Sequence, residues 1–340
     1  MTEIDLAAQA RITRHIAETI GARTAQVSAA VALLDEGATV PFIARYRKEV
    51  TGGLDDTQLR NLQELLIYGR ELEERRAAVI ASVEEQGKMT EELRQAFEAA
   101  DTKQRLEDLY LPYKPKRKTR AQAAVAAGLE PLADKLWKNP GLDPQAEAQA
   151  FVSADKGVAD TKAALDGARD ILAERFAENA DMLEMLRAWL WKHAFIVSSV
   201  DEAKKATPEA ANFRDYFDYS EALNEVASHR ALALFRGRQE GVLTLKMLLT
   251  EEEEALPVHP CQKLIADFLG WHDEGRAADQ WIASVIRWTW RVKCLTTLET
   301  ELFSRLRDEA QEKAISVFGT NLKDLLLAAP AGHKGVIGLD

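Results

Sequence analysis

Five basic residues fall within seven positions of the run LEDLYLPYKPKRKTR (Leu106–Arg120): Lys114, Lys116, Arg117, Lys118 and Arg120. The chain that carries them has a net charge of −11. Such a cluster neutralises phosphates and releases their counterions, which gives affinity without sequence preference. Arg117 and Arg120 also have the forked donors that grip a phosphate through two bonds at once. Pro112, Tyr113 and Pro115 hold the start of the run out of a helix, because proline fixes φ and disfavours the helical region for the residue before it. A solvated loop that pairs with acids of its own protein, among them Glu107 and Asp108, is the competing reading.

A second basic set, Arg45, Arg47 and Lys48, lies beside Phe42 and Tyr46. Aromatic residues interleaved with basic ones can stack bases. The helical spacing of Phe42, Ile43 and Tyr46 favours the plainer assignment, three core residues with the charges at their rim. Other chemistry is sparse. Of the six histidines, His259 and His272 are the pair that could converge on a metal with Cys261, and their spacing matches no zinc pattern, so structural roles are expected. There is no GxSxG, Walker or GxGxxG motif, and no complete catalytic constellation. The expectation is a protein that is not an enzyme and needs no cofactor or metal. Glu251–Glu254 read as a solvated acidic turn, with a metal or basic-partner site as the minor alternative.

The elements that must position these residues are helices almost throughout. Ala, Leu, Glu, Arg and Gln dominate, and apolar residues recur at three- and four-residue steps. Helices are expected over Leu6–Ile20, Thr24–Leu34, Phe42–Arg47, from a cap at Asp56 or Thr57 to about Glu84, over Thr90–Ala99 with Thr90 and Leu93 in cap-like places, and over Thr102–Leu109. A helix, a tight turn at Gly128 and a second helix follow within Arg120–Trp137, a helix-turn-helix candidate. Its second helix, EPLADKLWK, carries both signs of charge, where a recognition helix is more often net basic. Further helices are expected over Gln145–Val152, Val158–Asn179 and Ala180–Phe195, then a loop from Ser198 to Pro208. One short strand is expected at Val242–Leu248. The last helix, about Ala277–Phe318, shows a stripe Trp281, Val285, Trp288, Val292, Leu295, a slip at Glu299 covered by Leu298, then Leu302 and Leu306. It would run roughly 60 Å and act as a spine; its tryptophans argue against a narrow coiled-coil seam. The tail GVIGLD, ending at Asp340, has the pattern of a buried strand without a partner, as if the chain were cut at the opening of another domain. The fold class is therefore mainly α: a multi-helical bundle with a long spine helix, an inserted helix-turn-helix module and minimal β structure.

Hydrophobic residues make up 46% and charged residues 29%, a globular composition. No run approaches the ~18 uncharged apolar residues of a membrane span. The N-terminus is acidic where a signal peptide is basic. Two widely spaced cysteines, Cys261 and Cys294, fit a reducing cytoplasm. The acidic balance argues against bulk attraction to nucleic acid, so any such contact must be local.

Four stretches together resemble one family, the bacterial Tex proteins: GATVPFIARYRKEVTGGLDD (Gly37–Asp56), LEDLYLPYKPKRKTRA (Leu106–Ala121), GLEPLAD (Gly128–Asp134) and HRALALFRGRQEGVL (His229–Leu243). These transcription accessory proteins are related to the eukaryotic elongation factor and histone chaperone of the Spt family. The resemblance implies a protein about twice this long. In it a helical N-terminal region is followed by a YqgF-type RNase H-like domain, helix-hairpin-helix units and an OB-fold RNA-binding domain. GVIGLD resembles the first strand of the RNase H-like domain, with Asp340 in the place of the first metal-binding acid of nuclease members. One aspartate cannot hold two Mg²⁺ ions, and the family is regarded as lacking nuclease activity. The implied organisation is a Tex N-terminal helical region (1–115), an inserted helical module (116–214), a helical core with the strand and the spine helix (215–330) and the opening strand of the truncated domain (331–340). The implied function is a non-enzymatic scaffold that binds nucleic acid, RNA or DNA, mainly through the missing C-terminal half, and acts with the transcription machinery. RNA polymerase is an expected partner and a membrane is not. The contact residues would be Lys114, Lys116, Arg117, Lys118 and Arg120, with Arg45, Arg47 and Lys48. The alternative is a protein-interaction scaffold that docks RNA polymerase or another acidic partner without touching nucleic acid.

Overall fold

The computed structural model describes residues 6–115, 119–329, 332, 335 and 337. They are mainly α-helical, with one small sheet, and the chain divides into two compact units, residues 1–115 and 116–340. Most of the tail GVIGLD, and with it Asp340, lies outside the described residues.

The first unit is built on one long helix. It contains α1 (Leu6–Ile20), α2 (Thr24–Asp35), α3 (Val40–Tyr46), α4 (Asp56–Glu85), α5 (Glu91–Ala99) and α6 (Lys103–Tyr110). α4 has 30 residues and so spans about 45 Å. Its cap is Asp55 rather than Asp56 or Thr57: the Asp55 carboxylate accepts the Gln58 N–H at 2.7 Å, and the Gln58 side chain accepts the Asp55 N–H in return. The two halves of α4 serve two cores. Leu59, Leu62 and Leu66 pack with Ile12, Ile16, Val27 and Ile43 from α1 to α3. Leu72, Val79 and Val83 pack with Phe97, Leu106 and Tyr110 from α5 and α6. Between them sit two buried charges, Glu73 and Arg76, 3.3 Å apart. Arg76 also donates to the carbonyls of Phe97, Glu98 and Ala100 at the end of α5, where a helix leaves its acceptors unpaired. Arg11 closes the group with a 2.7 Å bond to Glu73.

The second unit centres on α10 (Thr161–Ala177). Before it come α7 (Arg120–Ala126), α8 (Glu130–Lys138) and α9 (Pro144–Ala148). α10 buries Ala164, Leu165, Ala168, Ile171, Leu172 and Phe176, an apolar surface wide enough for neighbours on several sides. α11 (Ala180–His193) stops two residues earlier than the apolar pattern implied, because Phe195–Val200, FIVSSV, is strand β1 and not helix or loop. β2 (Asp218–Ala222) and β3 (Leu243–Leu248) flank it in the order β2-β1-β3, all antiparallel, with Val197 opposite both Ser220 and Lys246. The expected single strand is thus one of three. β2, DYSEA, shows no apolar alternation because it is an edge strand with little burial.

α12 (Ser228–Gln239) leads into β3 through a turn at Gly241, and α13 (Glu251–Glu254) and α14 (Pro260–Phe268) follow. The spine then runs without a break from Asp279 to Leu326, as α15 (Asp279–Trp288), a π-helical turn (Thr289–Cys294) and α16 (Leu295–Leu326). The π turn holds an extra residue, and it moves the buried stripe. Val292, expected inside, is 50% exposed, while Trp290, Cys294, Leu298, Leu302 and Leu306 are buried. Glu299, the polar slip in the stripe, accepts the Met247 N–H at 2.7 Å and so satisfies a free edge donor of β3. Beyond Ala310 the helix leaves Ile315, Phe318 and Leu325 exposed.

Candidate nucleic-acid interface

α3 turns one side inward and one side out. Val40 and Ile43 are buried; Phe42, Arg45 and Tyr46, at steps of three and four, share the outer face. The expectation that Phe42, Ile43 and Tyr46 are all core therefore holds for Ile43 alone: Phe42 is 41% exposed and Tyr46 65%. The helix has only seven residues, so its inner side needs just one apolar position per turn, and the two rings are left over. Their centroids are 5.4 Å apart with the planes at 47°. The Arg47 guanidinium lies over the Phe42 ring at 5.2 Å. Arg45 and Lys48 are exposed and make no ion pair among the described residues. Residues 40–54 hold these three basic groups against one acid, Glu49.

The turn after α3 is firmly built. Thr51 is fully buried, and its hydroxyl and N–H bond to carbonyls of Arg47 and Lys48. The Gln26 side-chain amide of α2 donates to the Gly52 carbonyl at 2.8 Å. Gly52 and Gly53 both have positive φ, +63° and +91°, which a side chain would resist. Arg47 and Lys48 thus project from a fixed backbone.

The other basic set is described only at its ends. Lys114 is half-exposed, with Nζ 3.8 Å from a Glu107 carboxylate oxygen. The Arg75 guanidinium, bonded to Glu107, holds that carboxyl below its ordinary range despite partial burial, and Lys114 adds to this. One end of the run thus does approach an acid of its own surface, as the loop reading expected. Arg120 is exposed in the first turn of α7, after the capping pair Thr119 and Gln122. Lys116, Arg117 and Lys118 lie outside the described residues.

α7 and α8 are joined by a tight turn at Gly128, φ +83°. The acids of α8 are tied to α10 at the surface: Asp134 and Glu130 both pair with Arg175, at 2.7 and 3.3 Å. The α8 apolar side, Leu132, Ala133 and Leu136, is buried.

His259 and Cys261 come close, but as a helix start and not as ligands. His259 Nδ1 accepts the Cys261 N–H at 3.1 Å, Nε2 faces Glu254 at 3.5 Å, and the ring stacks on Trp290. Burial pushes the Cys294 thiol up to about 12, the Cys261 thiol higher still, and His259 below its usual value. His272 stands apart, exposed, 3.9 Å from Asp267. Among the described residues no three His, Cys, Asp or Glu side chains are grouped to hold a metal. A pocket of about 320 Å³ lined by Leu190, Met247, Glu254, His259 and Trp290 has no signal in the sequence, because its walls come from five separate segments. No helix among the described residues is long and apolar enough to cross a membrane.

Known proteins place this helical architecture in one family. Residues 10–84 match the Tex-like protein N-terminal domain and residues 139–318 match the Tex central region-like domain. The chain belongs to the Tex-like family. It is 58% identical over 328 residues to protein YhgF of Escherichia coli, which takes in 96% of this chain and 42% of that protein. Protein tex of Bordetella pertussis is 57% identical over 97% of the chain and 42% of its own length. The transcriptional accessory protein Tex of Neisseria gonorrhoeae is 50% identical over the same shares. The chain thus spans about two fifths of the length of the relatives it matches.

Proposed function

We propose that this chain is a non-enzymatic scaffold region of a transcription accessory factor, and that it contacts nucleic acid through Arg45, Arg47 and Lys48 and through Lys114, Lys116, Arg117, Lys118 and Arg120. The reading comes from two sources. The name of the Neisseria gonorrhoeae relative, a transcriptional accessory protein, suggests the transcription role. The observation that carries the contact is the α3 patch: three basic groups, Arg45 on the helix and Arg47 and Lys48 on the fixed turn after it, none in an ion pair among the described residues, on a chain of net charge −11. Exposed cations without ion-pair partners keep a local positive field, which attracts phosphate at short range against the repulsion of the acidic remainder. RNA polymerase is the macromolecular partner that fits an accessory role. The α7–α8 pair acts as a packing element of its unit in this reading, since its acids and apolar side are already engaged.

Charge reversal tests it. Arg45→Glu with Lys48→Glu, and separately Arg117→Glu with Lys118→Glu, should each weaken binding of a labelled oligonucleotide and lower the slope of log affinity against log salt by about 1–2. Affinity and slope unchanged in both variants would remove the nucleic-acid contact and leave the scaffold that docks a protein.

A further inference from the structure

We propose that Phe42 and Tyr46 form a stacking platform for the bases of a single-stranded nucleic acid, with Arg45 and Lys48 meeting its phosphates. This rests on the reading above that the α3 patch touches nucleic acid, and it names the kind of strand. Two large rings held at the surface of a well-packed unit lose the burial that rings ordinarily gain. They are not held there by slack: Ile43 anchors one side of α3, and Thr51 and Gln26 lock the turn behind it. Guanidinium and ammonium groups beside flat rings suit a strand that presents phosphates and base faces together. A duplex hides its base faces inside its own stack and gains nothing from such rings.

The geometry limits how the bases sit. The ring centroids are 5.4 Å apart and tilted by 47°, wider than the ~3.4 Å rise of stacked bases. The rings therefore cannot continue one base stack. Tyr46, the more exposed ring, takes one base on its open face, and Phe42 with Arg47 over it forms the wall beside that base. Neighbouring bases must splay, as they do in single-stranded RNA recognition.

The test uses the intact chain, a fluorescein-labelled oligouridine, a labelled DNA duplex of equal charge, and an oligonucleotide carrying 2-aminopurine. Phe42→Leu with Tyr46→Leu keeps apolar bulk at exposed positions and removes the rings. It should weaken oligouridine binding by about tenfold or more, leave the salt slope and duplex affinity as in the unmodified chain, and abolish the 2-aminopurine quench. Tyr46→Phe keeps the ring and should bind as the unmodified chain does. Arg45→Ala with Lys48→Ala should weaken both probes and lower the salt slope. If the leucine variant binds oligouridine normally, or loses single strand and duplex alike, or if Tyr46→Phe fails to bind, the platform is overturned. If the leucine variant is normal while the alanine variant is weakened, the phosphate contact survives without stacking. If neither variant changes either probe, both readings fall and the face is a protein-docking surface.

Discussion

Replacing Glu73 by Gln keeps shape and removes one charge from a buried group. Glu73 has a side chain only 9% exposed, and it faces Arg76 at 3.3 Å and Arg11 at 2.7 Å. Burial pushes its carboxyl up, but the two guanidiniums outweigh this and hold it below the ordinary range. Breaking a buried pair from one side costs about 3–5 kcal/mol, because the other charge stays buried. Arg76 keeps its bonds to the carbonyls of Phe97, Glu98 and Ala100, and Arg11 is 44% exposed and can rehydrate. The lower end, about 3 kcal/mol, is therefore expected, a large share of the ~5–15 kcal/mol that holds a domain. With an m-value of about 2 kcal/mol/M, the urea midpoint of the affected transition should fall by about 1.5 M. The assay can assign the loss to a unit. All seven tryptophans lie between Trp137 and Trp290, so tryptophan fluorescence reports on residues 116–340 and far-UV circular dichroism on the whole chain. The destabilised transition should appear in dichroism and leave the tryptophan transition in place. Because the folded carboxyl is depressed, its stabilisation is full above the unfolded value, about 4.3, and is lost as pH falls through the lower folded value. The Gln variant should lack that part of the acid limb. A loss under about 0.5 kcal/mol, or an unchanged acid limb, would mean that Glu73 behaves as an exposed surface pair and refute the argument.

Other outcomes follow from close packing and from buried acids. Gly237→Ala in α12 would place a Cβ 2.5 Å from Leu243 Cδ1 and 3.0 Å from Phe213 Cδ1. Helix propensity favours alanine by ~1 kcal/mol, overpacking costs ~1–3, and a net loss of about 1–2 kcal/mol in urea denaturation followed by tryptophan fluorescence is expected; a gain would show that Leu243 has room to yield. Asp279, fully buried, accepts bonds from the Trp271 indole, the Glu274 and Arg276 N–H groups and the Arg276 guanidinium, which against the cost of burial lower its carboxyl to about 2. Its stabilisation holds above the unfolded value and is lost as pH falls toward 2. Asp279→Asn should lower the melting temperature at neutral pH and narrow the gap to the parent chain in acid; an equal gap at both would sink the argument.

Helices were legible where periodicity and caps agreed. α1 matches from Leu6 to Ile20, and Thr90 caps α5 by accepting the Leu93 N–H as its spacing implied. The sheet was mostly hidden. Of the six residues of β1, Phe195 falls in the expected upstream helix and residues 198–200 in the expected loop. β2 is an edge strand paired to β1 through its backbone, whose Glu221 side chain bonds to Tyr219 and Arg230 and which shows no apolar alternation. The α3 patch was misread for a related reason. A spacing of four puts Phe42 and Tyr46 on one face but does not say whether that face looks in or out; Ile43 and Val40 decide it, and only the packing of α1, α2 and α4 shows that they win. Glu299 was visible as an interruption, yet its partner Met247 is 52 residues away and no local pattern could supply it.

The π turn at Thr289–Cys294 also sets how this chain tolerates insertion and deletion. Its wider winding takes up one surplus residue and keeps the α-helical stretches on either side in phase. Removing one residue there would let the helix relax to α geometry with Leu298, Leu302 and Leu306 still facing their neighbours and Glu299 still at the strand edge it satisfies. A single-codon loss between Leu298 and Leu306 meets no such slack and turns everything after it by about 100°, whereas the same loss beyond Ala310, where no described residue is buried, changes only the helix's length and the direction of its exposed side chains.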